Sequence, residues 1–348
     1  MKKTIAITSA LAAASSLATA EIKINEFLSF EGFVDMSYTH ADRDSNPGKE
    51  SDNTFGVDQV EIDWLFNFGK VTAQVDLEYE DNSAQGNDTN VEQAFVAYDL
   101  GNGASITAGR YETMLGLEAK EPTGLYQYST AYANSGIGLN GNIDGPFNNY
   151  AQGVKYSAQS GDLSYAISLQ DEAFGYNGAR LGGDDNGSYA VEAAASLTSG
   201  AITYFLGGAY EDGDTQGDSW LANGHVTYVD GAWTIGAEAF VGNSSQGNGN
   251  FGNTAATQGI NDLEVQGGLI MANYAYSDCC SVTGRVGYVD YDGQGAAQED
   301  QLKYTLAHNY AVTDNLAVIT EVSLSEYETN AGADEDELLG AVEVLFTF

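Results

Sequence analysis

A chain of 348 residues with 50 acidic side chains against 12 basic ones carries a formal charge of −38, which weighs against a nucleic-acid-binding surface. Its 42 Gly and 22 Tyr with only 3 Pro suit many strands joined by tight turns, and no run of 18 apolar residues follows residue 20, which excludes a helical membrane span. The mean hydropathy of −0.25 leaves a barrel open, because barrel strands keep half of their side chains wet.

Lys2 and Lys3 precede a small-residue and apolar stretch from Ile5 to Leu17, and Ala18-Thr19-Ala20 fits a cleavage site. This pattern predicts an export signal over 1–20 and one mature domain over 21–348. Losing Lys2 and Lys3 leaves 10 basic residues against the same 50 acids, so the mature chain is more acidic still.

Period-two alternation then recurs to the end of the chain. It predicts strands at Leu28 to His40, Thr54 to Phe66, Lys70 to Glu80, Val91 to Leu100, Ala104 to Glu112, Asn149 to Ala158, Asp162 to Gln170 and Ser188 to Leu197. Further strands are expected at Ala201 to Glu211, Asp218 to Val229, Ala232 to Val241, Leu263 to Tyr276, Ser281 to Tyr291, Asp300 to Ala311, Asn315 to Tyr327 and Glu337 to Phe348. Short links such as Asp230-Gly231 alternate with long polar ones such as Asp42 to Asn53, Asp171 to Gly187 and Gly242 to Asn261. Short turns on one rim and long loops on the other predict an all-β, antiparallel, up-and-down transmembrane barrel of about sixteen strands. The C-terminal Phe348 ends the last alternating strand and resembles the signal read by the outer-membrane barrel assembly machinery.

Alternation also sorts the side chains. Val71, Ala73, Val75, Leu77 and Tyr79 should face lipid, while Asp76 and Glu78 face water. The same parity turns Asp35, Glu61, Asp63, Glu238 and Glu321 into the lumen with few cations, Lys155, Arg285 and Lys303, to balance them. A wall so dominated by carboxylates concentrates cations and repels small anions. Loop acids are as well suited to holding ions shared with lipopolysaccharide at the rim. Asp42 and Asp44 resemble the start of a calcium loop, but Pro47 stands where such a loop needs Gly, leaving only weak rim binding. Cys279 and Cys280 are adjacent, so they brace no long-range framework. His40, His225 and His308 fall on separate strands outside any nucleophile, metal or acid-base motif, so neither catalysis nor a cofactor is expected.

Met114 to Asn148 is the longest connection and the most apolar, so it should fold back into the lumen and pack against the wall. The stretch from Ser105 to Pro122, SITAGRYETMLGLEAKEP, resembles the OmpL-like β-barrel porins. Gly109-Arg110 before a long third loop also resembles the general trimeric porins. The resemblance implies passive diffusion of ions and small hydrophilic solutes, outer-membrane lipid neighbours and a homotrimer. It also implies a constriction with Arg110 on the wall and Glu118, Glu121 and Asp144 on the loop. A substrate-selective channel, for sugars as one example, and a loop-plugged surface-binding barrel are the alternatives. Strict parity would send Arg110 toward lipid at a cost of about 2–4 kcal/mol near the midplane. A bulge or bend at Gly109 would instead return it to the lumen, to pair with Glu118 or Glu121.

Overall fold

The computed structural model describes residues 21–45, 48–80, 88–132, 146–174, 189–212, 217–248, 258–294, 298–329 and 334–348. A two-residue strand, β1 (Ile22–Lys23), lies against the first barrel strand. The barrel runs through β2 (Leu28–Ser45), β3 (Gly48–Asn67), β4 (Val71–Glu80), β5 (Asp88–Gly101), β6 (Ala104–Glu112), β7 (Tyr150–Ser160), β8 (Leu163–Gln170) and β9 (Tyr189–Ser199). It continues through β10 (Ile202–Asp212), β11 (Asp218–Asp230), β12 (Trp233–Asn248), β13 (Gln258–Ser277), β14 (Cys280–Gln294), β15 (Gln298–Thr313), β16 (Leu316–Thr329) and β17 (Asp334–Thr347). Each strand pairs antiparallel with the next in the chain, and β17 pairs back onto β2 from Asp336↔Asp44 to Thr347↔Phe33. Sixteen strands therefore close one sheet with no free edge, so every barrel strand finds ladder partners on both sides.

The seam is finished by the last residue. Phe348 exchanges backbone hydrogen bonds with Gly32 at 2.9 and 3.0 Å, and its ring meets Phe30 at 6.2 Å. A side chain at position 32 would collide with the carbonyl of Glu61 at 2.3 Å and the Phe348 ring at 2.9 Å. At the same rim, Gly69, Gly101, Gly103, Gly161, Gly200 and Gly231 take positive φ, the conformation that lets such short turns reverse the chain.

The outer surface carries an apolar band that includes Val96, Ile167, Leu206, Ile270, Leu306 and Val322, all exposed. Tyr98, Tyr156, Tyr228, Trp233, Tyr276 and Tyr310 border it near the short turns. Near the other rim stand Phe55, Tyr210, Trp220, Tyr288 and Tyr304. Two aromatic girdles flanking an apolar band form the expected outer face of a transmembrane barrel.

The structure corrects the expected connections in two places. Residues 42–45 and 48–53 are not irregular loop, because β2 and β3 stay paired up to Ser45↔Gly48. Over 242–248 and 258–261, β12 and β13 run on in the same way to Asn248↔Gln258. Polar Gly-, Asn- and Asp-rich sequence disfavours a strand in isolation, but a paired neighbour satisfies its backbone and carries the ladder outward. Asp42 and Asp44 therefore stand on the paired strand β2. His40 Nε2 lies 3.4 Å from Asp42, and Lys49 Nζ lies 2.7 Å from Asp44.

Among the register shifts of the sheet, two lie beside the inner acids of β3 and β4. Between Asp35↔Gln59 and Met36↔Val57 one extra residue, Asp58, enters β3. Between Val75↔Ala94 and Leu77↔Val91, Glu92 and Gln93 of β5 share the single partner Asp76.

Candidate functional site in the lumen

The long connection after β6 enters the barrel and is bonded across its full width. Its first residues attach to the near wall, where Met114 N donates to Glu192 Oε1 at 2.7 Å and Gly116 N donates to Asn223 Oδ1 at 3.2 Å. Farther on, the Tyr126 carbonyl accepts hydrogen bonds from Thr283 at 3.2 Å and Asn309 at 2.9 Å. Ser129 N donates to Glu321 at 3.0 Å, and Lys303 Nζ donates to the Thr130 carbonyl at 3.0 Å. The expectation that this segment folds inward holds over residues 113–132 and 146–149, where its described residues lie.

The inner side of Glu118 faces Arg285, which is nearly inaccessible to solvent. Arg285 Nη1 pairs with Glu118 Oε1 and also donates to the Ser129 carbonyl at 2.7 Å, while Nη2 reaches Thr305 Oγ1 at 3.0 Å. Gln127 Nε2 and the Ala131 N–H complete the shell of Glu118 at 2.8 and 2.7 Å. A charge pair this well bonded can sit in the barrel interior, although the buried Arg285 Nε has no hydrogen-bond partner.

One side of the lumen is apolar, where alternation alone implied polar chemistry. Met114, Leu115, Leu117, Tyr126, Tyr132 and Phe147 of the connection pack with Phe205, Leu221, Phe240, Leu263, Val265, Leu269, Met271 and Val289 of the wall. Phe240 stands edge-on to Tyr132 at 5.1 Å and to Phe147 at 5.2 Å. Each fully buried side chain of this size contributes about 1.5–3 kcal/mol. The wall acid in this sector, Glu238, accepts hydrogen bonds from Tyr132 and Asn223, both at 2.9 Å.

The other side, formed by β2 to β5 with β16 and β17, is acidic. Asp35, Glu61, Asp76, Glu78, Glu321, Glu337 and Glu343 are all buried on the inner face, with Asp63 half-buried. Asp63 stands opposite Glu31 on one neighbour and Asp76 on the other, and Glu61 stands opposite Glu78. Like charges placed directly across a ladder repel. Arg43 of β2 pairs with Glu337 at 2.6 Å on this side, while Lys155, on β7, lies over the Tyr111 ring at 4.2 Å and donates to the Glu112 carbonyl at 3.2 Å.

The residues expected at the constriction fare differently. Glu121, on the connection, accepts hydrogen bonds from Tyr150 and from Gln59, the latter at 2.9 Å. Burial pushes its carboxyl above the usual range, with these hydrogen bonds acting in the opposite direction. Asp144 lies outside the described residues. Arg110 requires a correction. Pairing is continuous through Phe95↔Gly109↔Gly153 and Ala94↔Arg110↔Gln152, so no extra residue is inserted at Gly109. Gly109 instead takes φ +131°, and a Cβ there would meet the Ala94 carbonyl at 2.2 Å. The inserted residue lies one strand away, in β5, where the Glu92 carbonyl accepts from Arg110 Nε at 2.6 Å. The Arg110 guanidinium lies over the ring of Tyr150 at 5.5 Å, and Tyr150 in turn donates to Glu121. Glu118, the other expected partner, is joined to Arg285.

Asp58 and Glu92 are inner acids that parity did not reveal, because a bulge has no signature in alternation. Asp58 accepts from the Tyr128 hydroxyl at 3.4 Å. The apolar half was legible only in part: the connection's own apolar residues signal a buried partner, but Phe205 and Phe240 read equally well as irregular lipid-facing positions.

A model of the family described as Putative beta-barrel porin-2, OmpL-like, matches residues 28–348. No curated protein matches the sequence. Solved barrels are similar in fold at low identity. The outer membrane channel DcaP of Acinetobacter baumannii is 11% identical, with 94% of this chain and 100% of that one covered and a TM-score of 0.65. OmpT of Vibrio cholerae is 14% identical, with coverage of 94% and 100% and a TM-score of 0.61. An anion-selective porin from Comamonas acidovorans is 13% identical, with coverage of 92% and 99% and a TM-score of 0.59.

Proposed function

This chain belongs to the OmpL-like β-barrel porin family, an outer-membrane barrel, and from that premise we propose that it is a cation-preferring diffusion channel for ions and small hydrophilic solutes. The observation that carries this reading is the division of the inner charges. The cations Arg285, Lys303 and Arg43 are engaged by Glu118, the Thr130 carbonyl and Glu337 respectively. Across the ladder, by contrast, Asp63 faces Glu31 on one side and Asp76 on the other, and Glu61 faces Glu78. A passage along this half offers a cation fixed negative charge in a low-dielectric wall. Reversal potentials across planar bilayers in a salt gradient test it: cation preference is expected, and anion preference overturns the reading.

Export by the segment 1–20, assembly through the C-terminal Phe348, contact with lipopolysaccharide and a homotrimeric state belong to the same proposal. The trimer is supported by a trimer form among the similar solved barrels, OmpT of Vibrio cholerae at 13% identity. Cross-linking in native membranes tests it.

A second reading, a barrel plugged by its own connection, is favoured by the apolar packing that fills one side of the lumen. The same bilayer recording separates the two, because a plugged barrel carries no stepwise current.

A further inference from the structure

We propose that Glu61, Asp63 and Asp76, with Glu92 and Glu121 beside them, form a binding site for a hard divalent cation of the calcium class in the wall of the lumen. Three elements of the fold build it. The β3–β4 ladder sets Asp63 against Asp76. The bulge in β5 brings Glu92 to the same row, and the inward-folded connection supplies Glu121.

The spacing suits one ion. One ligand oxygen each from Glu61, Asp63 and Asp76 lies within 4.8 Å of the others, and the same holds for Glu61, Glu92 and Glu121. Oxygens on opposite sides of a calcium ion at about 2.4 Å stand roughly 4.8 Å apart. Glu61 belongs to both sets, so a cation bound there draws on wall and connection together.

A second observation points to a ligand. Asp76 is wholly buried, and Gln74 and Gln93 hold its Oδ2 at 2.9 and 2.7 Å, yet its Oδ1 has no hydrogen-bond partner. Asp63 Oδ1 and the buried Glu92 Oε2 also have none. A buried acceptor without a donor is costly, and three in one cluster of like charges call for a positive partner. The donors are all carboxylate oxygens, which select calcium or magnesium over zinc or copper. Calcium takes about six to eight oxygens in flexible geometry, so a set of three carboxylates sharing Glu61 with a second set suits it better than magnesium, which demands a near-ideal octahedron.

The test uses the folded barrel in detergent after removal of metals by a chelator, with calcium as the probe and isothermal titration as the readout. Wild type is expected to bind one tight equivalent above the weak background of rim acids. Asp76→Asn should weaken that equivalent by about tenfold or more, since affinity follows the count of charged ligands. Asp218→Asn, at the rim, should leave it unchanged. Heat-resistant gel migration checks folding, and Glu121→Gln, on the connection, replaces Asp76→Asn if the latter does not fold. No tight equivalent in wild type, or one that persists in both cage variants, overturns the proposal. Reversal potentials recorded in chelator keep the channel reading separate: cation preference there survives loss of this site.

Discussion

Along β10 to β14 the lumen wall presents Phe205, Leu221, Phe240, Leu263 and Met271 to the inward-folded connection, while along β2 to β5 it presents Glu31, Glu61, Asp63, Asp76 and Glu92. Both halves are built from strands of the same geometry and closed by the same ladder. The first uses the connection as the other half of a hydrophobic core, and the second leaves charge concentrated beside it. The acids divide along the same line. Glu118, Glu192, Glu238 and Glu321 accept hydrogen bonds from the connection or its anchors and act as its fastenings. Asp63, Asp76 and Glu92 each retain an unpartnered oxygen. An inward carboxylate can therefore position the constriction or supply field to the passage, and parity alone does not say which.

The largest contrast is expected from Phe240→Ala set against Asp76→Asn. Removing the Phe240 ring leaves a cavity between Tyr132 and Phe147 and should lower stability by about 3–5 kcal/mol in reversible unfolding. Asp76→Asn takes one charge from a repelling row and should leave stability in chelator unchanged or higher. Equal losses in both variants would break the comparison.

Next is the fastening pair. Arg285→Met leaves Glu118 buried without its cation and should cost about 3 kcal/mol. It should also raise single-channel conductance as the Glu118 to Ala131 segment loosens. Adding Glu118→Gln should recover part of the stability; no recovery would mean that the two residues act independently.

Selectivity sharpens the division of the acids. Asp76→Asn with Glu78→Gln should reduce cation preference at nearly constant conductance. Glu321→Gln should raise conductance, because it weakens the hold on Ser129. Deleting the centre of the connection, around Tyr126 to Gly141, should raise conductance further while heat-resistant migration remains. Unchanged conductance in that deletion would place the connection outside the passage.

The smallest effect concerns pH. The carboxyl of Glu121 lies above its ordinary value, so the folded barrel binds this proton more tightly than the unfolded chain does. Its contribution is fully present below the ordinary carboxylate pKa and is lost as pH rises through the raised one. In chelator, wild type should therefore lose stability from mildly acidic to neutral pH, and Glu121→Gln should show a flatter profile. An identical slope in the variant would remove Glu121 from the account.

Sixteen strands, their closure and the inner face of Asp35, Glu61, Asp63, Asp76, Glu78, Lys155, Glu238, Arg285, Lys303 and Glu321 were determined by the sequence itself. Alternation is a local property, since successive side chains in a strand must face opposite ways and only one face of a barrel meets lipid. The inward fold of the long connection was equally local, carried by apolar residues that could not stay in water. Tertiary structure decided the rest. Glu118 meets Arg285 across 167 positions of chain, a distance over which no spacing rule operates. The bulges at Asp58 and Glu92 depend on register with neighbouring strands, so they moved two acids inward without a local sign. The continuation of β2 and β3 to Ser45 and Gly48 depends on pairing, which lets polar residues complete a ladder they would not start alone.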